Sequence, residues 1–138
     1  MQHDYQSDLE KVLFIFSLSV KHENFTIKDI QRLVIPPLKL NQYRIYVDEE
    51  VPLCYASWAM LPEEAEEGYK NRTRKIQPHD WNSGDNLWLI DVICPFGGTR
   101  IAIKRLDNLR KELGLPNRVN FHRSKRLGSN KVNNVKRI

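Results

Sequence analysis

A single α/β domain of the α+β kind, a mixed sheet flanked by helices, is what this sequence predicts. Three observations carry the prediction. Apolar residues recur at helical spacing in Leu9, Val12, Leu13 and Phe16, and again in Ile101, Ile103, Leu106, Leu109 and Leu113. Residues 87–94 are almost continuously apolar, as a strand covered on both faces would be. A chain of 138 residues buries one core and not two, so 1–138 reads as one domain.

Residues 8–19 read as a helix with one wide apolar face, capped by Ser7. Thr26 and Asp29 form a capping box, with the acid one carbon shorter than usual, and open a short helix carrying Ile27, Ile30, Leu33 and Val34. Pro36 and Pro37 are expected to stop it, because proline lacks the amide hydrogen and restricts the residue before it. Residues 42–47 are rich in Tyr, Ile and Val, and residues 53–60 follow after Asp48, Glu49, Glu50 and Pro52, which predicts a β-hairpin. Pro62, Glu63, Glu64, Glu66 and Glu67 suit the first turns of a helix that fades near Asn71. Asn82-Ser83-Gly84-Asp85 is a turn signal before the apolar strand. Pro95-Phe96-Gly97-Gly98 breaks that strand, and Gly114 and Pro116 stop the helix that follows. Further strands are expected around 119–121 and 132–135. No repeat, heptad run or linker marks a second domain.

Hydrophobic residues make up 41% and charged residues 28% of the chain, a balance that excludes disorder. Cys54 and Cys94 lie in apolar runs, and two cysteines are too few for a secreted disulfide scaffold, so both are expected reduced and buried. The apolar run at 12–20 follows acids instead of a basic stretch, lacks a small-residue cleavage site and is too short to span a bilayer. A cytoplasmic protein with no integral membrane segment is the expectation. The net charge of +5 is uneven: Arg118, Arg123, Lys125, Arg126, Lys131, Lys136 and Arg137 follow Glu112 with no acid among them, leaving 15 basic against 17 acidic residues, or −2, in the body. The basic C-terminal segment 113–138 calls for an acidic partner, whether nucleic acid, anionic membrane or acidic protein.

Asp91 interrupts the apolar strand, where an ionised carboxylate costs several kcal/mol (order of magnitude) unless it is paired or strongly hydrogen-bonded. An isolated acid of this kind ordinarily pins a loop or pairs with an arginine. Here the strand ends in a glycine turn that places bare backbone beside a helix N-terminus, an arrangement suited to a phosphate or a carbonyl oxygen, or to an ordinary turn. His22 follows the first helix in a polar stretch. Isolated histidines are usually surface or packing residues, and His3, His79 and His122 show no partner in the sequence. The four histidines and two cysteines have no metal spacing, and the chain lacks a Walker loop or a serine nucleophile elbow.

Four motifs then stand in order: Pro36-Pro37-Leu38-Lys39-Leu40-Asn41-Gln42-Tyr43; Pro52 with Tyr55-Ala56-Ser57-Trp58-Ala59; Asp80-Trp81-Asn82-Ser83-Gly84-Asp85; and Trp88-Leu89-Ile90-Asp91-Val92-Ile93-Cys94-Pro95-Phe96-Gly97. Together they resemble the RTX toxin-activating lysine acyltransferases, the haemolysin-activator family, from Ser19 to Gly98. The resemblance implies a fold similar to the GCN5-type acetyltransferases and transfer of a fatty acyl group from acyl carrier protein to internal lysines of a partner RTX protoxin. It also implies catalytic roles for His22 and Asp91, with Ser19, three before the histidine, fitting the same pattern. By that resemblance no cofactor is permanently bound; the donor is the phosphopantetheine thioester of acyl-ACP. A homodimer is left open.

That chemistry suits these residues. A lysine ammonium with a pKa of about 10.4 needs roughly 4 to 5 kcal/mol to present a free amine near pH 7. His22 can accept the proton and Asp91 can orient the ring or stabilise its cation. The backbone N–H groups of Phe96, Gly97 and Gly98 are candidate oxyanion donors, and Arg118 a candidate contact for phosphopantetheine or carrier protein. Cys94 stands where the family leads one to expect a small residue and is read as packing, a nucleophile being the alternative. Two other readings stay open: a nucleic-acid-binding module using the basic end with Phe121 and His122 as stacking groups, and an acyl-CoA-dependent acyltransferase.

Overall fold

The computed structural model describes residues 5–122. It is a mixed α/β domain. Helix α1 (Tyr5–Ser17) leads through a 3-10 turn (Val20–His22) to α2 (Ile27–Leu33) and α3 (Ile35–Leu40); the hairpin β1 (Tyr43–Asp48) and β2 (Val51–Leu61) follows, then α4 (Glu63–Lys70), a second 3-10 turn (Pro78–Asp80), β3 (Asn86–Ile93), α5 (Thr99–Glu112) and β4 (Asn120–Phe121). The sheet order is β1-β2-β3-β4, antiparallel except for the parallel β3–β4 pair. This is the mixed sheet flanked by helices that the sequence predicts, and it is consistent with a GCN5-type fold. The strand expected at 132–135 and the basic residues from Arg123 onward lie outside the described residues.

Two expectations are overturned. Ser7 does not cap the first helix but lies inside α1, which already runs from Tyr5. Pro36 and Pro37 do not end a helix; they occupy the first turn of α3, where an absent N–H leaves no intrahelical bond unmade. The break falls at Val34, and the Thr26–Asp29 capping box opens α2 as predicted. The hairpin turns on Glu49 and Glu50, both at positive φ, the backbone that a two-residue hairpin loop requires even without glycine.

The motif residues largely build the scaffold. Gln42, buried beyond α3, donates from Nε2 to the carbonyls of Trp58 at 2.9 Å and Trp81 at 3.0 Å, tying β2 to the loop before β3. Trp81 is fully buried and donates from Nε1 to Arg32 O at 2.9 Å, anchoring the end of α2. Gly84 lies so close to β2 that a Cβ would stand 2.2 Å from Pro62 N and 2.3 Å from Leu61 C. Only glycine fits there.

A bulge in β3 sets the faces of the sheet. Ser57 pairs with Asp91 and Trp58 with Leu89, so Ile90 is an extra residue. Below it the phase of the strand is reversed: Leu87 and Leu89 join Trp58, Leu106 and Val119 beneath α5, while Trp88 packs with Ala59 and Leu61 on the opposite face. On that opposite face, beneath α1, Tyr55 and Ile93 pack against Val12, Ile15, Phe16 and Leu38. Asp91 and Trp88 therefore share a face despite their odd spacing.

Candidate active site

After α1 ends, the chain tightens into the turn that carries His22. Ser19 is extended at φ −101° and ψ 113° and precedes the turn as its N-cap, yet its hydroxyl makes no capping bond to the backbone. Instead Ser19 Oγ lies 2.6 Å from His22 Nδ1. The ring is wedged between Phe16, at 4.6 Å between centroids, and Phe25, edge-on at 4.8 Å. Its Nε2 lies 2.9 Å from Asp91 Oδ1, across 69 residues of chain. His22 and Asp91 are each 7% exposed.

Asp91, when ionised, only accepts hydrogen bonds, so Nε2 carries the hydrogen of the neutral ring and donates it to Oδ1. Nδ1 is then the nitrogen with the lone pair, and Ser19 donates its O–H to it. Base, orienting carboxylate and hydroxyl are thus in one chain of contacts. His22 and Asp91 lie on the wall of an open cleft of about 940 Å³.

Of the sequence-predicted site residues, the structure brings Ser19, His22 and Asp91 together. The turn at Phe96, Gly97 and Gly98 stands beyond the end of β3 with Phe96 59% exposed; both glycines adopt positive φ, and none of the three lines the cleft. Arg118, exposed before β4, donates to Asn120 Oδ1 at 3.2 Å and does not line it either. Cys54 and Cys94 are free thiols beside one another on β2 and after β3. Burial and then the hydrogen bond with Cys94 push the Cys54 thiol up to about 12. Cys94 is outside the cleft, in keeping with packing.

Two cleft residues are not assigned to this site by the sequence. Tyr69 comes from the end of α4; burial, then the charge of Asp91, pushes its phenol well above the ordinary tyrosine range, so it stays an O–H donor at neutral pH. His122 has partners after all: Nε2 lies 3.0 Å from Tyr69 O, and its ring packs on Tyr69 at 4.5 Å and Trp88 at 5.3 Å. That packing withdraws His122 from the stacking pair that a nucleic-acid reading would use. Five basic residues line the cleft, Lys21, Arg32, Arg72, Arg74 and Lys75, and among the described residues Asp91 is the only acid there. No group of three or more His, Cys, Asp or Glu suited to a metal converges among the described residues.

The sequence profile of the RTX toxin acyltransferase family, HlyC, matches residues 1–138. The chain belongs to that family. It is 35% identical over 98 residues to the RTX-II toxin-activating lysine-acyltransferase ApxIIC of Actinobacillus pleuropneumoniae, covering 71% of this chain and 61% of that protein. Over 106 residues it is 34% identical to the protein-lysine myristoyltransferase RtxC of Kingella kingae, covering 77% and 64%. Against the protein-lysine myristoyltransferase HlyC of Escherichia coli, identity is 36% over 89 residues, 64% of this chain and 52% of that one. In these matches this family member spans between about half and two thirds of the length of its relatives. No helix among its described residues is long and apolar enough to cross a membrane.

Proposed function

We propose that the protein is a cytoplasmic lysine acyltransferase that moves a fatty acyl group from acyl carrier protein to the ε-amine of internal lysines of an RTX protoxin, activating it. The observation that carries this reading is the Ser19–His22–Asp91 chain of contacts, whose His22 and Asp91 lie on the wall of an open cleft. The lysine-acyltransferase names of the relatives support the reaction class. The basic lining supports a donor that brings phosphate and an acidic carrier surface, since complementary charge speeds docking.

In this mechanism the lysine ammonium loses a proton to His22 Nδ1 through the Ser19 hydroxyl, and Asp91 stabilises the imidazolium through Nε2–H. The free amine attacks the thioester carbonyl carbon, forming the C–N bond. Negative charge gathers on the carbonyl oxygen, and Tyr69, which lines the cleft, is the O–H donor assigned to meet it. The intermediate collapses: the C–S bond breaks, the imidazolium proton goes to the departing thiolate, and the second amine proton passes to the regenerated neutral His22 as the amide forms and from there to solvent. Both ring nitrogens of His22 are already hydrogen-bonded, which favours direct transfer over an acyl-histidine intermediate.

The test incubates the protein with myristoyl-carrier protein or myristoyl-CoA and a fragment of an RTX protoxin, then reads lysine masses by mass spectrometry. Acylation from the carrier and not from CoA is expected. Acylation from CoA alone replaces the donor. No acyl-lysine from either, with any co-expressed repeat-containing protein also unmodified, refutes the assignment.

A further inference from the structure

We propose that Ser57 and Tyr55 are positioning residues for Asp91: their hydroxyls reach Oδ2 through one shared water and hold the carboxylate ionised beneath His22. The proposal rests on the His22–Asp91 reading of the site and extends it to the Tyr55-Ala56-Ser57-Trp58-Ala59 segment, which the mechanism leaves without a role.

Register and burial place the three groups together. Ser57 is the cross-strand partner of Asp91, and Tyr55 lies two residues away on the same face of β2. Tyr55 and Ser57 are both 0% exposed. Tyr55 Oη, Ser57 Oγ and Asp91 Oδ2 are buried, and among the described residues none meets a partner at hydrogen-bonding geometry. Buried polar atoms in folded proteins are satisfied, by protein or by ordered water, and leaving one unmet costs about 1–3 kcal/mol. Two donors and one charged acceptor on one face of paired strands are a complementary set that one bridging water satisfies. The chemistry of Tyr55 agrees: burial first, and the charge of Asp91 second, push its phenol above the ordinary range, while the Ser57 side chain interacts with it. It therefore remains a donor wherever Asp91 is an anion.

The consequence falls on the tautomer of His22. An ionised Asp91 accepts Nε2–H and leaves Nδ1 as the base. A protonated Asp91 would instead donate to Nε2, put the ring hydrogen on Nδ1 and abolish the base facing Ser19. Donors on Oδ2 favour the ionised carboxylate, so Ser57 and Tyr55 act on catalysis through Asp91 without touching either substrate.

Ser57→Ala and Tyr55→Phe each remove one oxygen and little volume, which keeps the fold within reach; thermal melting checks it. In the full chain, each is expected to lower kcat about ten- to a hundredfold, the equivalent of one hydrogen bond to a charged group. KM stays unchanged and the acid limb of the pH–rate profile moves to higher pH. The double variant falls by less than the product of the singles, because the two hydroxyls serve one oxygen. Ring ¹⁵N shifts of His22 at neutral pH, read without any acyl donor, are expected to change from the Nε2–H form in wild type to a mixture in the variants. Wild-type kcat with an unmoved acid limb overturns the proposal, as does an activity loss that follows only the folded fraction while the Nε2–H tautomer persists. The tautomer measurement also separates the two claims: a wild-type protein that transfers no acyl group, with a tautomer that still depends on Ser57 and Tyr55, refutes the proposed function and leaves the positioning role intact.

Discussion

Replacing Asp91 by asparagine isolates the charge of the carboxylate from its shape. The amide has nearly the same volume, and its oxygen can still accept from His22 Nε2 at the observed 2.9 Å, so the ring stays where Phe16 and Phe25 hold it. What disappears is the anion beside the imidazolium that forms when His22 takes the amine's proton. At an effective dielectric of about 20, unit charges at that 2.9 Å separation interact by about 6 kcal/mol. Part of this is offset, because Asp91 is buried in the resting protein and its desolvation is already present there. Retaining two thirds to nine tenths of the Coulomb gain leaves about 4 to 5.5 kcal/mol, or a loss in kcat of about 10³- to 10⁴-fold, since each 1.4 kcal/mol is a factor of ten. KM for either substrate should change little. The assay is single-turnover acylation of a protoxin fragment by acylated carrier protein, with intact-mass analysis excluding deamidation of the introduced amide back to aspartate. A variant that melts like wild type and retains kcat within tenfold would refute the mechanism, because among the described residues no acid other than Asp91 lines the cleft beside His22.

Other perturbations test the neighbouring parts. Tyr69→Phe removes the standing O–H donor at the cleft and is expected to lower kcat about a hundredfold with an unchanged melting temperature, in line with the loss of one oxyanion donor; unchanged kcat would return that role to the backbone of Phe96, Gly97 and Gly98. Gly84→Ala drives a Cβ to 2.2 Å from the backbone of Pro62, and chemical denaturation should show a loss of about 3 kcal/mol or more. The Thr26 N–H, first among several contacts, holds the Asp29 carboxyl below its ordinary value. Its folded form is therefore the more acidic, and the stabilisation is present above the unfolded carboxyl pKa of about 3.9 and lost as pH falls through the folded value. Asp29→Asn should accordingly cost about 0.5–1 kcal/mol at pH 7, with the gap to wild type closing in thermal melts as pH falls below the ordinary carboxylate range.

Much of the fold was legible along the chain because its signals are local. The capping box at Thr26 and Asp29, the alternation and acids of the hairpin, the acidic opening of α4 and the apolar spacing of α5 each depend on residues within a turn or two of one another. Pro36 and Pro37 misled because proline is equally at home just after one helix and just inside the next, and only the packing of Leu38 into the core under α1 decides between them. The bulge at Ile90 left no trace in a run that is apolar at nearly every position: where both faces are buried, the sequence has no alternation from which the phase can be read.

Motif and chemistry divide in the same way. His22, Asp91 and Ser19 were identifiable from family resemblance and from the cost of a charge in an apolar strand, and their order in the chain is a property of the sequence alone. The contacts at 2.6 Å and 2.9 Å that assign Nδ1 as the basic nitrogen belong to tertiary structure, as does the arrival at the same cleft of Tyr69 from α4 and His122 from just after β4. Spacing along a chain constrains what lies within a few residues; it says nothing of a hydrogen bond spanning 69 of them, which exists because the bulge turns Asp91 toward α1 and two phenylalanines hold the imidazole against it.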